Sequence, residues 1–418
     1  MKKILVFPCG SEIALEVHRA LKDQKGIELI GASSVDDHGK FVFDNYIGGI
    51  PMINDDNFLP TILKIVKEHN IDLIYPCMDI VITKLKNSVI FEYMVIGSPK
   101  ETVNICQSKF KTYLKFADVI RTPKIYSLKE NDGFPMFSKP DIGSSSINAF
   151  KINDQYDLDF YSRKYPNNLL LEYLPGDEFT VDCFTDKKGI LKFVSARKRN
   201  RITNGISVNV QLINNPKIDQ IAKKINNTLP FNGSWFFQLK EDKYGEFCLL
   251  EIASRFGGSS VIQRFLGVNL PYLNILNEYY PIEVLKNDFS IEVDRSLDVK
   301  SKIDIVFDKI YIDFDDTVII NDKVNTDMIK LIYYFNNQNK KVILITKHKK
   351  SIHESLIKYK ISENIFSEII HIEKNNKKYN YMDANGSIFI DDSFFERKEV
   401  KDNLDIPVFS VDSINCLW

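Results

Sequence analysis

The chain has 418 residues, too many for one ordinary domain and enough for two or three. Hydrophobic residues make up 44 % and charged residues 27 %, the balance of a soluble globular protein rather than a disordered or fibrous one. A formal net charge of −1 argues against a nucleic-acid partner, and no apolar run is long enough to span a bilayer.

The opening MKKILVFPCG is basic and then apolar. Its apolar part is too short for a signal peptide and no small-residue cleavage site follows, so a first β-strand in a cytoplasmic protein is expected. The six cysteines (Cys9, Cys77, Cys106, Cys183, Cys248 and Cys416) form no Cys-x-x-Cys pair. That suits reduced thiols better than a disulfide frame or a zinc site. Residues 1–100 alternate strand and helix: KKILVFP, a helix over Glu12–Leu21, IELIGAS, a helix over Leu59–Glu68, then DLIYPC. This βαβ rhythm predicts a parallel sheet. The turn at Cys9-Gly10-Ser11 follows the first strand, where α/β folds often bind ligands, although a plain tight turn reads equally well.

Residues 101–288 change character. The β-type runs LLLEYL, FTVDCF, ILKFVSA, WFFQL and FCLLEIA, broken by Gly, Pro and Asp, predict an α+β unit with an antiparallel sheet. A helix opens near Ser108-Lys109. Lys139 then precedes the small, flexible stretch Gly143-Ser144-Ser145-Ser146, an arrangement suited to a polyphosphate: backbone N–H groups from the loop and a point charge from the Lys. LLLEYLPGDEFT carries Glu172, a hinge and Glu178. A hairpin turning at Lys243-Tyr244-Gly245 brings Gln238 beside Glu251, two oxygen donors suited to Mg²⁺.

In that order these residues resemble the ATP-grasp superfamily, in particular the branch related to the carbamoyl-phosphate synthase large subunit. The likeness runs over residues 1–285 and includes that family's Rossmann-like domain before the ATP-grasp unit. It implies that Lys109, Lys139, Ser144 and Ser145 contact ATP phosphates, that Glu172, Tyr173 and Leu174 line the adenine, and that Glu178 binds ribose. It also implies that Gln238 and Glu251 hold Mg²⁺, with Mn²⁺ as an alternative, and that Arg255 stabilises the transferred phosphate or the acyl-phosphate. Arg197 and Arg199 match arginines that face a carboxylate substrate, a role suited to the bidentate guanidinium. Where the family usually reads Glu-Ile-Asn-Pro-Arg, this chain reads Glu251-Ile252-Ala253-Ser254-Arg255, so one metal-ligand Asn is replaced by Ala253.

A charged, weakly patterned stretch, residues 289–305, reads as a linker. The βαβ rhythm returns over 306–418 in KIYIDFD, KVILITK, EIIHI, SIFIDD and PVFSV. Three strands end in Asp313-Phe314-Asp315-Asp316-Thr317, in Thr346 and in Asp391-Asp392. Carboxylates crowded at the carboxyl edge of a parallel sheet repel one another unless a cation lies between them.

These motifs resemble the haloacid dehalogenase superfamily: Asp-x-Asp-x-Thr, a strand-end hydroxyl, a Lys and a final acidic pair. The resemblance implies that Asp313 is a nucleophile on phosphorus and that Asp315 is the general acid and then the base. Asp313, the Asp315 carbonyl, Asp391 and Asp392 would hold Mg²⁺, and Thr346 would hold the phosphoryl group. The Lys falls among Lys374, Lys377 and Lys378, of which Lys378 opens the segment into the last motif. Few residues separate the motifs, so the site is expected to lack a large cap.

The expected protein is therefore an α/β and α+β multidomain enzyme. A Rossmann-like unit and an ATP-grasp unit would join a small-molecule carboxylate to an amine, and an uncapped C-terminal unit would hydrolyse a phosphomonoester. Small-molecule or surface-polysaccharide tailoring suits such a pair, and the family resemblance adds a homodimer as one assembly. The alternatives are a kinase or phosphotransferase that releases its phosphorylated product, and a nucleotide-binding regulator with decayed sites.

Overall fold

A computed structural model describes the backbone of residues 1–130, 132–143, 146–203, 205–296 and 299–417, with the side chains of 299–302 left aside. The N-terminal unit is a four-stranded parallel sheet. β1 (Lys2–Phe7), β2 (Ile27–Ala32), β3 (Asn45–Ile47) and β4 (Leu73–Pro76) lie in the order β3-β2-β1-β4. The β1 turn is tight for a packing reason: a Cβ on Gly10 would lie 1.8 Å from the Asp37 carboxylate. Ser11 then caps the helix Glu12–Leu21 by accepting from the Ala14 N–H at 3.1 Å.

The middle of the chain builds two antiparallel sheets. The smaller joins β5 (Ile125–Tyr126), β6 (Met136–Pro140), β7 (Phe150–Ile152) and β8 (Asn168–Glu172) in the order β5-β8-β6-β7. The larger contains β9 (Glu178–Thr185), β10 (Leu191–Thr203), β11 (Ile206–Ile213), β12 (Gly233–Glu241) and β13 (Phe247–Ala253). Two further strands extend it, β14 (Ile291–Arg295) and β15 (Val299–Ile303), giving the order β13-β12-β9-β10-β11-β14-β15. The stretch read as a linker is thus a hairpin of the central sheet. Its residues alternate: Ile291, Val293 and Arg295 turn inward and are buried while Glu292 and Asp294 are part-exposed, so the two acidic residues of the strand share its outer face.

The C-terminal unit is a five-stranded parallel sheet. β16 (Lys309–Ile312) lies at its centre, between β19 (Lys341–Thr346) and β21 (Ser387–Ile390), with β20 (Glu368–His371) and β22 (Val408–Phe409) at the edges. A small hairpin, β17 (Ile319–Ile320) with β18 (Lys323–Val324), follows β16. Only this hairpin and a helix separate the first acidic motif from β19.

One continuous apolar cluster includes Val210, Phe265, Ile291 and Val293 of the central unit together with Ile312, Leu331, Leu344 and Phe409 of the C-terminal unit. The two units therefore share a core. Phe265→Ala, at a side chain only 1 % exposed, is expected to cost about 3–5 kcal/mol. In urea, the central and C-terminal units should then unfold together at a lower midpoint.

Candidate active sites

The two central sheets face each other across a cleft. Its lining includes Lys109, Phe137, Lys139, Gly143, Ala149, Leu171, Glu172, Tyr173, Leu174, Glu178, Gln238 and Glu251. Register explains the convergence: in the β12–β13 pair Gln238 lies directly opposite Glu251, and across β9–β12 Glu178 lies opposite Lys240. Lys139, at the end of β6, donates to the Leu250 carbonyl at 3.2 Å, and its ammonium sits 5.5 Å from the Tyr113 ring centre. Burial pushes its pKa down to about 8 against the pull of Glu251, and the neighbouring Lys109 adds to the depression. Lys109 donates to the Gly143 carbonyl at 2.9 Å and lies 3.9 Å from Glu251. Its helix, Lys109–Phe116, is tied to the glycine loop by Asp141, whose carboxylate accepts from Ser108 Oγ and from the Phe110 N–H at 2.7 Å. Two ammonium groups thus share one nearby carboxylate, Glu251, in the cleft. Ser144 and Ser145 lie outside the described residues.

At the hinge the Glu172 carboxylate is held by Arg121 at 2.7 Å, which leaves the hinge backbone and the apolar walls Leu171 and Leu174 for a planar ring. Arg199 ion-pairs with Glu178, donates to Gln238 Oε1 at 3.3 Å and to the Gly205 carbonyl at 2.8 Å. It therefore lines this cleft as well as the adjoining cavity.

That second cavity opens between the N-terminal and central sheets. Ser11, Glu12 and Asp79 line it from one side, and Arg197, Arg199, Ala253, Arg255 and Arg295 from the other. Arg255 grips Asp79 with both arms, Nε at 2.8 Å and Nη2 at 2.6 Å, and its guanidinium lies 5.4 Å from the Phe236 ring centre. Arg197 is buried against Asp182, with Nε 2.9 Å from Oδ2. Glu12, Asp79 and Arg295 escape the sequence reading because their partners come from other units. The only local signal for Arg295 is the alternation of β14.

In the C-terminal unit the strand ends meet as parallel pairing requires. Oxygen atoms of Asp313, Asp391 and Asp392 all lie within 4.8 Å of one another. Lys378 ion-pairs with Asp313 and donates to Asp391 Oδ2 at 2.6 Å, whereas Lys377 pairs with Glu399 on the surface. The Asp313 carboxyl is pushed well above the carboxylate range, first by burial and then by the Asp391 charge, against the pull of Lys378. Three carboxylates against one ammonium leave the cluster short of positive charge, and the donors are all oxygens, so the residues fit a hard divalent cation. Asp391 and Asp392 are fixed by Arg397, which donates to both backbone carbonyls at 2.6 and 2.7 Å, and Thr317 Oγ accepts from the Asp392 N–H at 3.0 Å. Thr346 ends β19 and is fully buried, its Oγ accepting from the His348 N–H at 3.1 Å.

The Asp315 side chain leaves this cluster. Its carboxylate lies 2.9 Å from His348 Nδ1, and His348 Nε2 lies 2.8 Å from Ser355 Oγ. His348 was not legible as a site residue, since a lone His after a strand carries no pattern. Asp316 also turns away, in a left-handed conformation (φ 54°), and meets Lys25 of the N-terminal unit at 2.7 Å.

A family model described as ATP-grasp in the biosynthetic pathway with Ter operon matches residues 164–297. No curated protein sequence matches the chain. Among solved structures, biotin carboxylase of Campylobacter jejuni in a β-γ-ATP complex superposes with TM-score 0.59 at 17 % identity, over 70 % of this chain and 75 % of that one. An L-amino acid ligase of Bacillus licheniformis gives TM-score 0.58 at 16 % identity, over 70 % and 79 %. N5-carboxyaminoimidazole synthetase of Staphylococcus aureus complexed with ADP gives 0.57 at 13 % identity, over 71 % and 82 %. The chain contains an ATP-grasp domain within a mixed α/β fold. Among the described residues no helix is long and apolar enough to cross a membrane.

Proposed function

We propose that the chain is a bifunctional enzyme, an ATP-dependent carboxylate–amine ligase carrying a haloacid dehalogenase-like phosphomonoesterase. The observation that carries the ligase reading is the convergence of Lys109, Lys139, Gln238 and Glu251 on one cleft, with Arg255 in the cavity beside it. A carboxylate is a poor electrophile, and phosphorylation gives it a leaving group. In the first step a substrate carboxylate oxygen attacks the γ-phosphorus of ATP, the bond to the β-phosphate oxygen breaks, and ADP leaves. The amine then attacks the acyl carbon and loses a proton, the C–O bond to phosphate breaks, and inorganic phosphate leaves. Lys109 and Lys139 hold the phosphates, the hinge Glu172–Leu174 takes the adenine, and Glu178 takes the ribose. Arg197 and Arg199 hold the acid, and Arg255 the phosphoryl group in transit.

In the C-terminal unit Asp313 attacks the phosphorus of a monoester, Asp315 protonates the departing alkoxide, and the resulting aspartyl-phosphate is hydrolysed by water that Asp315 deprotonates. Thr346 and Lys378 hold the phosphoryl oxygens. The contact of Asp315 with His348 gives that acid–base group a fixed orientation. Gln238 and Glu251 in one site, and Asp313, Asp391, Asp392 and the Asp315 carbonyl in the other, would hold Mg²⁺, which screens phosphate charge. L-amino acid ligase is among the structurally similar proteins, which supports small-molecule acid and amine substrates.

The ligase reading is tested by ADP release. ADP should require both an acid and an amine, and the product mass should equal their sum less one water. ADP formed without any amine would instead indicate a kinase.

Nucleotide affinity should also depend on pH. Free Lys139 is cationic only below about 8, and a bound polyphosphate favours the charged form, so binding above that pH takes up a proton. The affinity for Mg-AMP-PNP should fall by about one log unit per pH unit above pH 8. Lys139→Arg should flatten that slope, as calorimetry across pH 7–9.5 would show.

A further inference from the structure

The cavity beside the cleft holds one buried charge, Arg295, to which the ligase reading gives no role, and beside it Arg197 keeps part of its guanidinium unpaired. Arg197 and Arg295 both line it, and their side chains are 3 % and 7 % exposed. Arg197 places Nε and Nη2 on Asp182, whose two oxygens are further occupied by Ser260 Oγ at 2.6 Å and Gln263 Nε2 at 2.9 Å. Its remaining Nη1 is buried with no hydrogen-bond partner, as is Ser207 Oγ on the same wall. A buried guanidinium N–H without an acceptor is costly, and a ligand oxygen removes that cost.

Arg295 donates to Ser259 Oγ at 3.1 Å, and its ion-pair partner is Glu12. The two partners differ: Arg295 is buried and held on a strand, whereas the Glu12 side chain is 42 % exposed at the first turn of a helix of the N-terminal unit. Burial disfavours the Arg295 cation most, and the nearby charges of Arg197 and Arg19 add to that; Glu12, and after it Glu16, offset only part of it. Glu12 thus occupies the position of an anion that a ligand can displace.

Resting on the ligase reading, we infer that Arg197, Arg295 and Ser207 bind a second anionic group of the acid substrate, separate from the carboxylate that is phosphorylated, and that Glu12 is its stand-in in the free enzyme. The substrate class is then a dicarboxylate or a phosphorylated carboxylic acid. A phosphorylated acid would also supply the monoester that the C-terminal unit hydrolyses.

The test is calorimetry on the full chain saturated with Mg-AMP-PNP, using valerate, glutarate and 3-phosphonopropionate as probes. Glutarate or the phosphonate should bind about tenfold or more tightly than valerate, and Arg295→Gln should remove the difference. Glu12→Gln, which frees Arg295 without shrinking the side chain, should tighten the favoured dianion several-fold and leave valerate unchanged. Preference for glutarate assigns a carboxylate to the second group, and preference for the phosphonate assigns a phosphate. Equal binding of all three, or Glu12→Gln weakening every probe alike, overturns the inference and leaves the ligase reading standing. No binding of any probe to a chain that does bind AMP-PNP also overturns the inference, and ADP release against the full grid of acids and amines then decides the ligase reading separately. Thermal melts of the two variants separate lost binding from lost folding.

Discussion

Asp313→Asn is expected to abolish phosphate release from phosphomonoesters, by about 10⁴-fold or more, while leaving ADP formation unchanged. The residue is buried, it lies within reach of Asp391 and Asp392, and Lys378 pairs with it. An amide in its place cannot form the acyl-phosphate, so the loss should fall on kcat rather than KM. Folding should survive, because Asn is isosteric and removes one of three crowded acids. A melting temperature equal to or above that of the parent, with no phosphatase turnover, is the combined result to look for. Asp315→Asn should slow both halves of the same reaction, and His348→Ala should do so more weakly, because His348 only orients Asp315.

Lys139→Ala should lower ADP formation by about 10²–10³-fold and leave the phosphatase untouched. This Lys is one of two buried ammonium groups in the central cleft, held between the Leu250 carbonyl and the Tyr113 ring. Its replacement leaves the β- and γ-phosphates one fixed positive charge short. Glu251→Gln should produce a loss of similar size through metal binding, and raised Mg²⁺ should recover part of it. Recovery by Mg²⁺ distinguishes the two variants, since no divalent ion replaces an ammonium on the opposite wall. The units share a core, so each variant also needs the other unit's activity as an internal control of folding.

Much of this arrangement is legible in the sequence where chemistry and local geometry coincide. Asp313 and Asp391-Asp392 stand at the ends of apolar strand-like runs, and a parallel sheet must bring such ends to one edge. Gln238 and Glu251 flank a turn signal at Lys243-Tyr244-Gly245, and a hairpin of that length pairs them directly. The N-terminal rhythm likewise gives a parallel sheet.

What escapes is of two kinds. β14 and β15 are too short and too charged to read as strands: the inward position that would complete the pattern is Arg295 rather than an aliphatic residue, and a strand with a buried Arg resembles a solvated linker. The pairings Arg295–Glu12, Arg255–Asp79 and Asp316–Lys25 join units far apart in the chain, and no local pattern encodes them. The shared core is hidden for the same reason, since Val293 and Phe265 look like the interior of their own unit.

The most direct measurement is turnover of Mg-ATP by the full chain and by Asp313→Asn against a grid of acids and amines, with ADP and product masses read from the same wells. The expected result is ADP that requires both partners, a product lighter than their sum by one water, and a phosphorylated amide that accumulates only in Asp313→Asn. ADP release from no pair, with phosphomonoester hydrolysis that Asp313→Asn still abolishes, would contradict the coupled enzyme and leave the C-terminal site as the chain's one working centre.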